Sequence, residues 1–312
     1  MLPQLLILAP LPEFLRVPLS ENFICHDYVS SADPEGLIQE VGPRVQAIIQ
    51  NGGTQAPVSL LEKLPSLEII TVNGVGYDGV PVGYCKGRGI RITNTPDVLT
   101  DDVADIATAL VLMTSRALSA AQRFLLDGGW ESAASPLTSA LNHKTAGIVG
   151  LGRIGKAIAQ RLEACGMRIA YTGRKQQEGV AYRFHSTLEA LAAASDFLII
   201  ACPGGPETHH LIDSEILTQL GPEGTLINIS RGSVVDEAAL IRALKKGQIK
   251  GAGLDVFENE PHVPQELRDL PNAILLPHVG SATIETRQAM ADLCLRNLDA
   301  HFSGQNLITP VY

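Results

Sequence analysis

Three charged side chains in the second half of the sequence, Arg231, Glu260 and His278, have the types needed to reduce a ketone. A planar guanidinium holds a carboxylate and polarises a carbonyl oxygen. An imidazole can supply the proton, and a carboxylate beside the ring orients it and stabilises its charged form. Each residue taken alone also has a structural explanation: a turn cap, a solvated loop acid or a buried histidine. All three follow apolar runs that predict strands, and open α/β sheets bind ligands where strands end.

A glycine-rich stretch, Thr145-Ala-Gly-Ile-Val-Gly-Leu-Gly-Arg-Ile-Gly155, lies upstream of these residues and predicts a strand that turns into a helix. Such a turn leaves backbone N–H groups at the positive end of the helix dipole, where a pyrophosphate binds. Gly150 suits the tight turn, Gly152 the close approach of a phosphate, and Gly155 helix–strand packing. The spacing is weak evidence alone, but the flanking strand and helix patterns favour a dinucleotide site.

Strand-like apolar runs alternate with amphipathic helices along the chain, which indicates parallel, doubly wound sheets. Besides the run that enters the glycine motif, the predicted strands are Leu5–Ala9, Val45–Ile49, Leu67–Val72, Ile90–Thr93, Ile169–Thr172, Phe197–Ala201, Leu226–Ile229, Gly251–Val256 and Ala273–Leu276. The predicted helices include Thr100–Arg116, Ile154–Cys165, Asp236–Lys246 and Thr283–Phe302.

The position of the glycine motif predicts two domains. This fingerprint normally occupies the first strand–helix turn of a dinucleotide-binding domain, yet several strand–helix units precede it here. We therefore predict a dinucleotide-binding domain over residues 99–283, inserted into a substrate-binding domain formed by residues 1–98 and 284–312. The last helix is expected to return to the first domain and make it discontinuous.

Composition excludes several classes of protein. The 312 residues carry a formal net charge of −9, and no basic stripe suited to nucleic acid is visible. No segment reaches the length of a membrane span, and the N-terminal apolar run lacks the basic region of a signal peptide. The five cysteines are scattered without the spacing of a zinc site or a disulfide framework, so a reducing, cytoplasmic location is expected.

Four segments occur in one order and together resemble the D-isomer-specific 2-hydroxyacid dehydrogenases: Gly-Leu-Gly-Arg-Ile-Gly155, Ile-Asn-Ile-Ser-Arg-Gly-Ser-Val-Val-Asp236, Gly-Leu-Asp-Val-Phe-Glu-Asn-Glu-Pro261 and Leu-Pro-His-Val-Gly-Ser-Ala-Thr283. The resemblance is greatest to the glyoxylate/hydroxypyruvate, hydroxyphenylpyruvate and 2-ketogluconate reductases. It implies an α/β fold in which a Rossmann NAD(P)-binding domain is inserted in a flavodoxin-like substrate domain. It also implies an oxidoreductase that reduces a small 2-keto acid to the D-2-hydroxy acid, with Arg231, Glu260 and His278 catalytic and His278 as the general acid.

The resemblance implies further ligand contacts. The backbone N–H groups around Val75 and Gly76 would hold the substrate carboxylate together with Arg231, and Asn73 would also touch the substrate. A plain glycine-rich turn is the alternative, and we favour the functional interpretation. Trp130 would either reach the active site of a partner subunit or pack in an interface, and both alternatives imply a homodimer. The residues expected to contact the dinucleotide are Val103, Gly150, Leu151, Gly152, Arg153, Ile154, Gly173, Arg174, Lys175, Cys202, Pro203, Ile229, Ser230, Asp255, His278 and Gly280.

The end of the second strand after the glycine motif bears on cofactor choice. An NAD-preferring site places Asp or Glu there to bind the ribose hydroxyls. No acid occurs from Arg168 to Gln177; Gly173 occupies the expected acidic position, and Arg174 and Lys175 follow it. Two cations without a repelling carboxylate suit a 2′-phosphate, although a solvated basic turn has the same composition. We therefore predict NADPH, with NADH as the weaker alternative.

Two other interpretations stay open. A dinucleotide-sensing binding protein, like the C-terminal-binding corepressors, has the same fold without turnover. Hydroxyphenylpyruvate reduction is an alternative reaction within the same family. His209 and His210 could suggest a metal, but neighbouring side chains rarely face one site and no further ligands cluster beside them in the sequence, so none is expected.

Overall fold

The computed structural model describes residues 2–312, which divide into two compact units, one of residues 2–99 with Thr283–Tyr312 and the other of Thr100–Ala282. The predicted domain boundaries each lie one residue from these divisions. In the first unit the strands are β1 (Gln4–Ile7), β2 (Ile24–Asp27), β3 (Val45–Asn51), β4 (Ile69–Asn73) and β5 (Arg91–Thr93). The helices that connect them are α1 (Glu13–Asn22), α2 (Pro34–Val41), α3 (Val58–Leu61) and α4 (Val82–Gly87).

Within the described residues, the strands of the first unit form a five-stranded parallel sheet of order β2-β1-β3-β4-β5, which is the flavodoxin-like order. The sequence patterns predict four of these strands but not β2. Ile24 is exposed and the other three residues of β2 are only half-buried, so this edge strand lacks the apolar pattern that marks its neighbours.

The second unit begins with α5 (Thr100–Arg116) and α6 (Leu118–Leu126). Its strands are β6 (Thr145–Val149), β7 (Arg168–Thr172), β8 (Arg183–Phe184), β9 (Phe197–Ile200), β10 (Thr225–Asn228), β11 (Gly251–Leu254) and β12 (Ala273–Leu275). The other helices are α7 (Arg153–Ala164), α8 (Leu188–Ala193), α9 (Ser214–Leu220), α10 (Glu237–Lys245) and α11 (Gln265–Arg268). In residues 2–312 these strands form a seven-stranded sheet of order β12-β11-β10-β9-β6-β7-β8, the Rossmann order extended by one strand.

The central strands of the second unit are buried along their whole length, and this explains why they appear in the sequence as continuous apolar runs. The helix α5 packs against α7 and against β10 and β11. Arg161 of α7 strengthens that contact through ion pairs with Asp101 (3.0 Å) and Asp105 (2.6 Å) of α5. The sequence patterns do not predict the two-residue strand β8, because so short a run carries no periodic signal.

The last helix, α12 (Ile284–Phe302), packs against β4 and α1 of the first unit, as the sequence predicts. Thr283 caps this helix by accepting a hydrogen bond from the Thr286 N–H at 3.2 Å. In the described part of the chain, no single helix has the length and apolar character of a membrane span. The helices α5 and α6 reach that length and character only when they are counted together, and the chain bends by 60° between them.

Candidate active site

The glycine-rich turn between β6 and α7 has the backbone geometry that a pyrophosphate requires. Gly150 adopts a φ of +95°, and a side chain there would lie 2.7 Å from the backbone of Cys202. A Cβ on Gly155 would lie 2.3 Å from the carbonyl oxygen of Gly150, so the helix packs directly on the turn. At Gly152 no atom of the described chain lies within 4 Å of a Cβ position, and α7 begins at the next residue. These residues fit a dinucleotide whose phosphates bind the N-terminus of α7.

The basic segment after β7 lies beside this turn. Gly173, Arg174 and Lys175 are all exposed, and the space around Gly173 is open. Gln177 fixes the segment, because its side-chain amide donates to the carbonyl oxygen of Leu151 at 2.8 Å. The backbone N–H of Gln177 also donates to the hydroxyl of Tyr171 at 2.9 Å. Gln177 could not be recognised from the sequence, since nothing there marks a contact across 26 residues.

The three predicted catalytic residues follow three neighbouring strands. Arg231 comes after β10, Glu260 after β11 and His278 after β12, and these strands lie side by side in the sheet. Because parallel strands end at the same edge of a sheet, the loops that carry the three residues meet there. The topology thus brings together side chains that are up to 47 residues apart in the sequence.

His278 and Glu260 form a hydrogen-bonded pair, with Nδ1 of the ring 2.7 Å from Oε2 of the carboxylate. A carboxylate only accepts, so Nδ1 carries the hydrogen and Nε2 is left for chemistry. The other oxygen of Glu260, Oε1, accepts the backbone N–H of Phe257 at 3.0 Å. Burial opposes ionisation of Glu260, but the hydrogen bond and charge of His278, the Phe257 N–H and the charge of Arg231 together hold the pKa of this carboxyl below its ordinary value.

Asp255 holds the loop that carries His278. Its carboxylate is buried and accepts the backbone N–H groups of Val279 at 2.7 Å and Gly280 at 2.8 Å. Burial raises the pKa of Asp255 despite these two hydrogen bonds. His278 itself adopts a left-handed backbone conformation with a φ of +54°. The hydrogen bonds to the two following N–H groups stabilise a conformation that costs an L-residue about 1–2 kcal/mol.

A network of short contacts positions Arg231. Nη1 donates to the carbonyl oxygen of Ser230 at 2.9 Å, while the side chain of Asn228 donates to the carbonyl oxygen of Arg231 at 2.9 Å. A Cβ on Gly204 would lie only 2.6 Å from Cγ of Arg231, so the arginine side chain lies directly over that glycine. Asn228 and Gly204 could not be recognised from the sequence, because their importance depends on contacts that no spacing reveals.

The other residues predicted to contact the dinucleotide lie in the loops around the same edge. The hydroxyl of Ser230 donates to the carbonyl oxygen of Cys202. Burial raises the pKa of the Cys202 thiol to about 11, so the thiol stays protonated at neutral pH. A Cβ on Gly280 would lie 3.4 Å from Val103, which places that valine of α5 against the loop after His278. Ile229 is buried, whereas Pro203 is exposed. Their contacts with the cofactor remain predictions.

The turn after β4 in the first unit carries the predicted substrate contacts. Asn73 is buried, whereas Val75 and Gly76 are half-buried. Asn94 fixes the turn by donating from its side chain to the carbonyl oxygen of Val75 at 2.8 Å. The role of this turn in binding a carboxylate stays a prediction.

A cavity of about 240 Å³ lies beside the His278–Glu260 pair. Its lining is mostly apolar and includes Phe257, Val263 and Leu275, with Arg268 as the charged exception besides the pair. An apolar boundary lowers the local dielectric, and this strengthens the attraction between an imidazolium and its carboxylate.

The lowered pKa of Glu260 predicts how stability changes with pH. A carboxyl whose pKa is lower in the folded state contributes stability above the unfolded glutamate pKa, about 4.3, and loses it as the pH falls through the folded value. The free energy of unfolding of the wild type relative to Glu260→Gln is therefore expected to be largest near neutral pH and to fall in acid. Denaturant titrations at a series of pH values measure this difference. A difference that stays constant on acidification would contradict the assignment.

A Rossmann sheet with a glycine-rich turn and a histidine–glutamate pair at its carboxyl edge defines a dinucleotide-dependent oxidoreductase. The family model of the D-isomer specific 2-hydroxyacid dehydrogenase NAD binding domain matches residues 108–280. Together with the relatives described next, this match means that the chain belongs to the D-isomer specific 2-hydroxyacid dehydrogenase family.

Relatives resemble the chain over nearly its whole length. A glyoxylate/hydroxypyruvate reductase A of Arabidopsis thaliana is 46% identical over 98% of both chains. A hydroxyphenylpyruvate reductase of Plectranthus scutellarioides is 44% identical, again over 98% of both. The crystal structure of an NADPH-dependent glyoxylate/hydroxypyruvate reductase of Sinorhizobium meliloti, in complex with NADP and malonate, matches with a TM-score of 0.91 and 45% identity. That match covers 100% of this chain and 97% of that one.

Proposed function

We propose that this oxidoreductase reduces a small 2-keto acid of the glyoxylate/hydroxypyruvate or 2-ketogluconate type to the D-2-hydroxy acid, with NADPH as the preferred cofactor. The observation that carries the proposal is the pair of His278 and Glu260 at 2.7 Å, next to Arg231 at the ends of neighbouring strands. A guanidinium, an imidazole and a carboxylate at one edge supply what carbonyl reduction needs besides a hydride.

Each residue has a distinct part in the proposed reaction. Arg231 holds the substrate carboxylate and polarises the ketone oxygen. His278 transfers a proton from Nε2 to that oxygen, since Nδ1 is committed to Glu260. Glu260 keeps the ring oriented and stabilises its charged form before the transfer. The reduced nicotinamide, when bound, supplies the hydride to the keto carbon.

The preference for NADPH rests on the segment after β7. A carboxylate at position 173 would repel a 2′-phosphate, whereas Gly173 leaves open space there. The exposed side chains of Arg174 and Lys175 supply positive charge beside it. The NADP-bound Sinorhizobium meliloti relative, 45% identical, supports the same choice.

Replacing Arg174 with alanine is expected to raise the KM for NADPH by about tenfold or more, because a charge-assisted hydrogen bond contributes about 1.5–3 kcal/mol. The KM for NADH should change little, since NADH has no 2′-phosphate. Arg168→Ala is the matched control, because Arg168 is an exposed arginine at the opposite end of the same strand. Equal losses for both cofactors would remove the 2′-phosphate role of Arg174.

The substrate is tested by the loss of absorbance from NADPH, and separately from NADH, with glyoxylate, hydroxypyruvate, 2-ketogluconate and hydroxyphenylpyruvate. Rapid oxidation of NADPH with one of the first three supports the proposal. Turnover of hydroxyphenylpyruvate alone would favour the arylpyruvate alternative. Tight cofactor binding without turnover of any 2-keto acid would favour a dinucleotide-sensing protein instead.

We also propose that the protein is a homodimer, because the segment from α6 onward exposes an apolar surface. The exposed fractions there are 46% for Leu118, 53% for Leu125, 75% for Leu126, 67% for Trp130 and 101% for Leu137. Exposed apolar patches of this kind mark interfaces, and aromatic side chains are common anchors within them.

Replacing Leu126 with glutamate is expected to convert the dimer to a monomer, because a carboxylate would be buried without a partner. Sedimentation velocity measures the change. Val17→Glu is the control, since Val17 is 49% exposed but lies far along the sequence from this segment. A wild type that sediments as a monomer would overturn the proposed dimer.

A further inference from the structure

We propose that His209, His210 and Glu258 form a binding site for a divalent transition-metal ion such as Zn²⁺. One potential ligand atom from each residue lies within 4.8 Å of the other two. Imidazole nitrogen and carboxylate oxygen are the ligands with which Zn²⁺ forms sites of three protein groups and a water. The sequence alone predicts no metal here, because Glu258 lies 48 residues after His210 in the chain.

The backbone at His210 overcomes the usual obstacle to ligation by adjacent residues. Successive side chains of an extended chain point in opposite directions, and His209 is extended, with a φ of −62° and a ψ of 125°. His210 then adopts a left-handed conformation with a φ of +50°. The two rings consequently stack with their centroids 4.0 Å apart and an interplanar angle of 28°.

Contacts with neighbouring segments hold the three groups in place. The backbone N–H of His210 donates to the carbonyl oxygen of Ser233 at 2.8 Å. Nε2 of His210 lies 2.7 Å from Oε1 of Glu258. The backbone N–H of Glu258 in turn donates to the carboxylate of Glu237, a buried acid, at 3.4 Å. The carboxylate of Glu258 beside His210 supplies negative charge that attracts a cation.

The site is accessible, and rotation of the two stacked rings about their side-chain torsions would turn one nitrogen of each toward a common ion. The side chains of His210 and Glu258 are 36% and 28% exposed, and His209 is also exposed. A metal ion would take the place of the hydrogen bond between Nε2 of His210 and Oε1 of Glu258, and the neutral imidazole would then carry its hydrogen on Nδ1. Water would complete the coordination, because three protein ligands leave one tetrahedral position open.

The ion would connect two loops of the candidate active site. Glu258 lies two residues before Glu260, and Ser233, which anchors His210, lies two residues after Arg231. Metal binding would therefore restrain the loops that position both catalytic groups. The ion itself has no part in the proposed hydride transfer, so metal binding can be tested without measuring turnover.

Calorimetric titration of chelator-treated protein with Zn²⁺ tests the site. The wild type is expected to bind one ion, and both His209→Gln and Glu258→Gln should weaken binding by at least about 100-fold, since even outer-shell partners of a metal contribute about 10–100-fold. His143→Gln is the matched control: His143 is an exposed histidine with a left-handed backbone in the same unit, and this variant should bind like the wild type. Circular dichroism of each metal-free variant establishes that it is folded.

Titration with Co²⁺ identifies the ligands. Visible d–d bands without a thiolate charge-transfer band are expected, because the proposed ligands are nitrogen and oxygen. A thiolate band would place the ion on a cysteine and overturn the proposal. Unchanged Zn²⁺ affinity in folded His209→Gln and Glu258→Gln, or no stoichiometric binding by the wild type, would overturn it as well.

Discussion

Replacement of His278 with alanine is expected to lower kcat by about 10²–10⁴-fold, the usual contribution of a general acid. The dissociation constant for NADPH should stay close to that of the wild type, because the glycine-rich turn and the basic segment after β7 are untouched. The physical reason is the geometry of the pair: Nδ1 is held by Glu260 at 2.7 Å, so only Nε2 is left to donate a proton. Steady-state kinetics and fluorescence titration of NADPH measure the two quantities.

The control must account for the left-handed backbone of His278, which alanine tolerates poorly. His143 is an exposed histidine with a φ of +66° in the same unit, so His143→Ala carries the same backbone change without the proposed chemistry. His278→Asn is a second variant, because asparagine accepts the left-handed region more readily. Wild-type turnover in a folded His278→Asn enzyme would rule out the general-acid role. If His143→Ala lowered kcat as much as His278→Ala does, the loss would be attributed to the left-handed backbone and not to the missing proton donor.

The meeting of the three candidate catalytic residues at one edge of the sheet could be predicted, because their neighbours in the sequence are distinctive and their strands are easily recognised. Arg231, Glu260 and His278 each follow an apolar run, and the rule that ligands bind at the ends of parallel strands places them on one edge. The seven-stranded sheet of the described residues meets that expectation by putting β10, β11 and β12 side by side. In this respect the local pattern and the topology agree.

Other features of the site could not be predicted, because they depend on contacts between distant segments. The hydrogen bonds of Asp255 with Val279 and Gly280 span 24 and 25 residues. The contact between His210 and Glu258 spans 48 residues. Neither leaves a periodic signal, since each involves loop residues whose backbone paths are fixed only after the sheet has formed. The edge strand β2 escapes prediction for a different reason, which is that it buries too little apolar surface to be patterned.

The close contact of Gly232 with the loop that carries Glu260 leads to the second large expected effect. A Cβ on Gly232 would lie 1.8 Å from the carbonyl carbon of Phe257 and 2.3 Å from the backbone nitrogen of Glu258. These are backbone atoms, so the loop cannot avoid the added methyl group by changing a rotamer. Gly232→Ala must therefore displace the loop by about an ångström, and misplacement on that scale can lower kcat by about 100-fold.

Two other glycines provide a graded series of substitutions for comparison with Gly232→Ala. None of the three glycines has a positive φ, so the backbone φ does not itself disfavour alanine at any of them. Gly204→Ala would meet the side chain of Arg231, at 2.6 Å from Cγ and 3.2 Å from Cβ, rather than backbone, so a smaller loss in both kcat and KM is expected. Gly83→Ala would meet no described atom within 4 Å and should have wild-type kinetics.

Thermal melts and NADPH binding establish that each variant is folded. If folded Gly232→Ala kept the kcat of Gly83→Ala, the position of Glu260 would not limit the reaction. If kcat instead falls most in Gly232→Ala, less in Gly204→Ala and not in Gly83→Ala, then turnover depends on how closely the loops after β10 and β11 pack together.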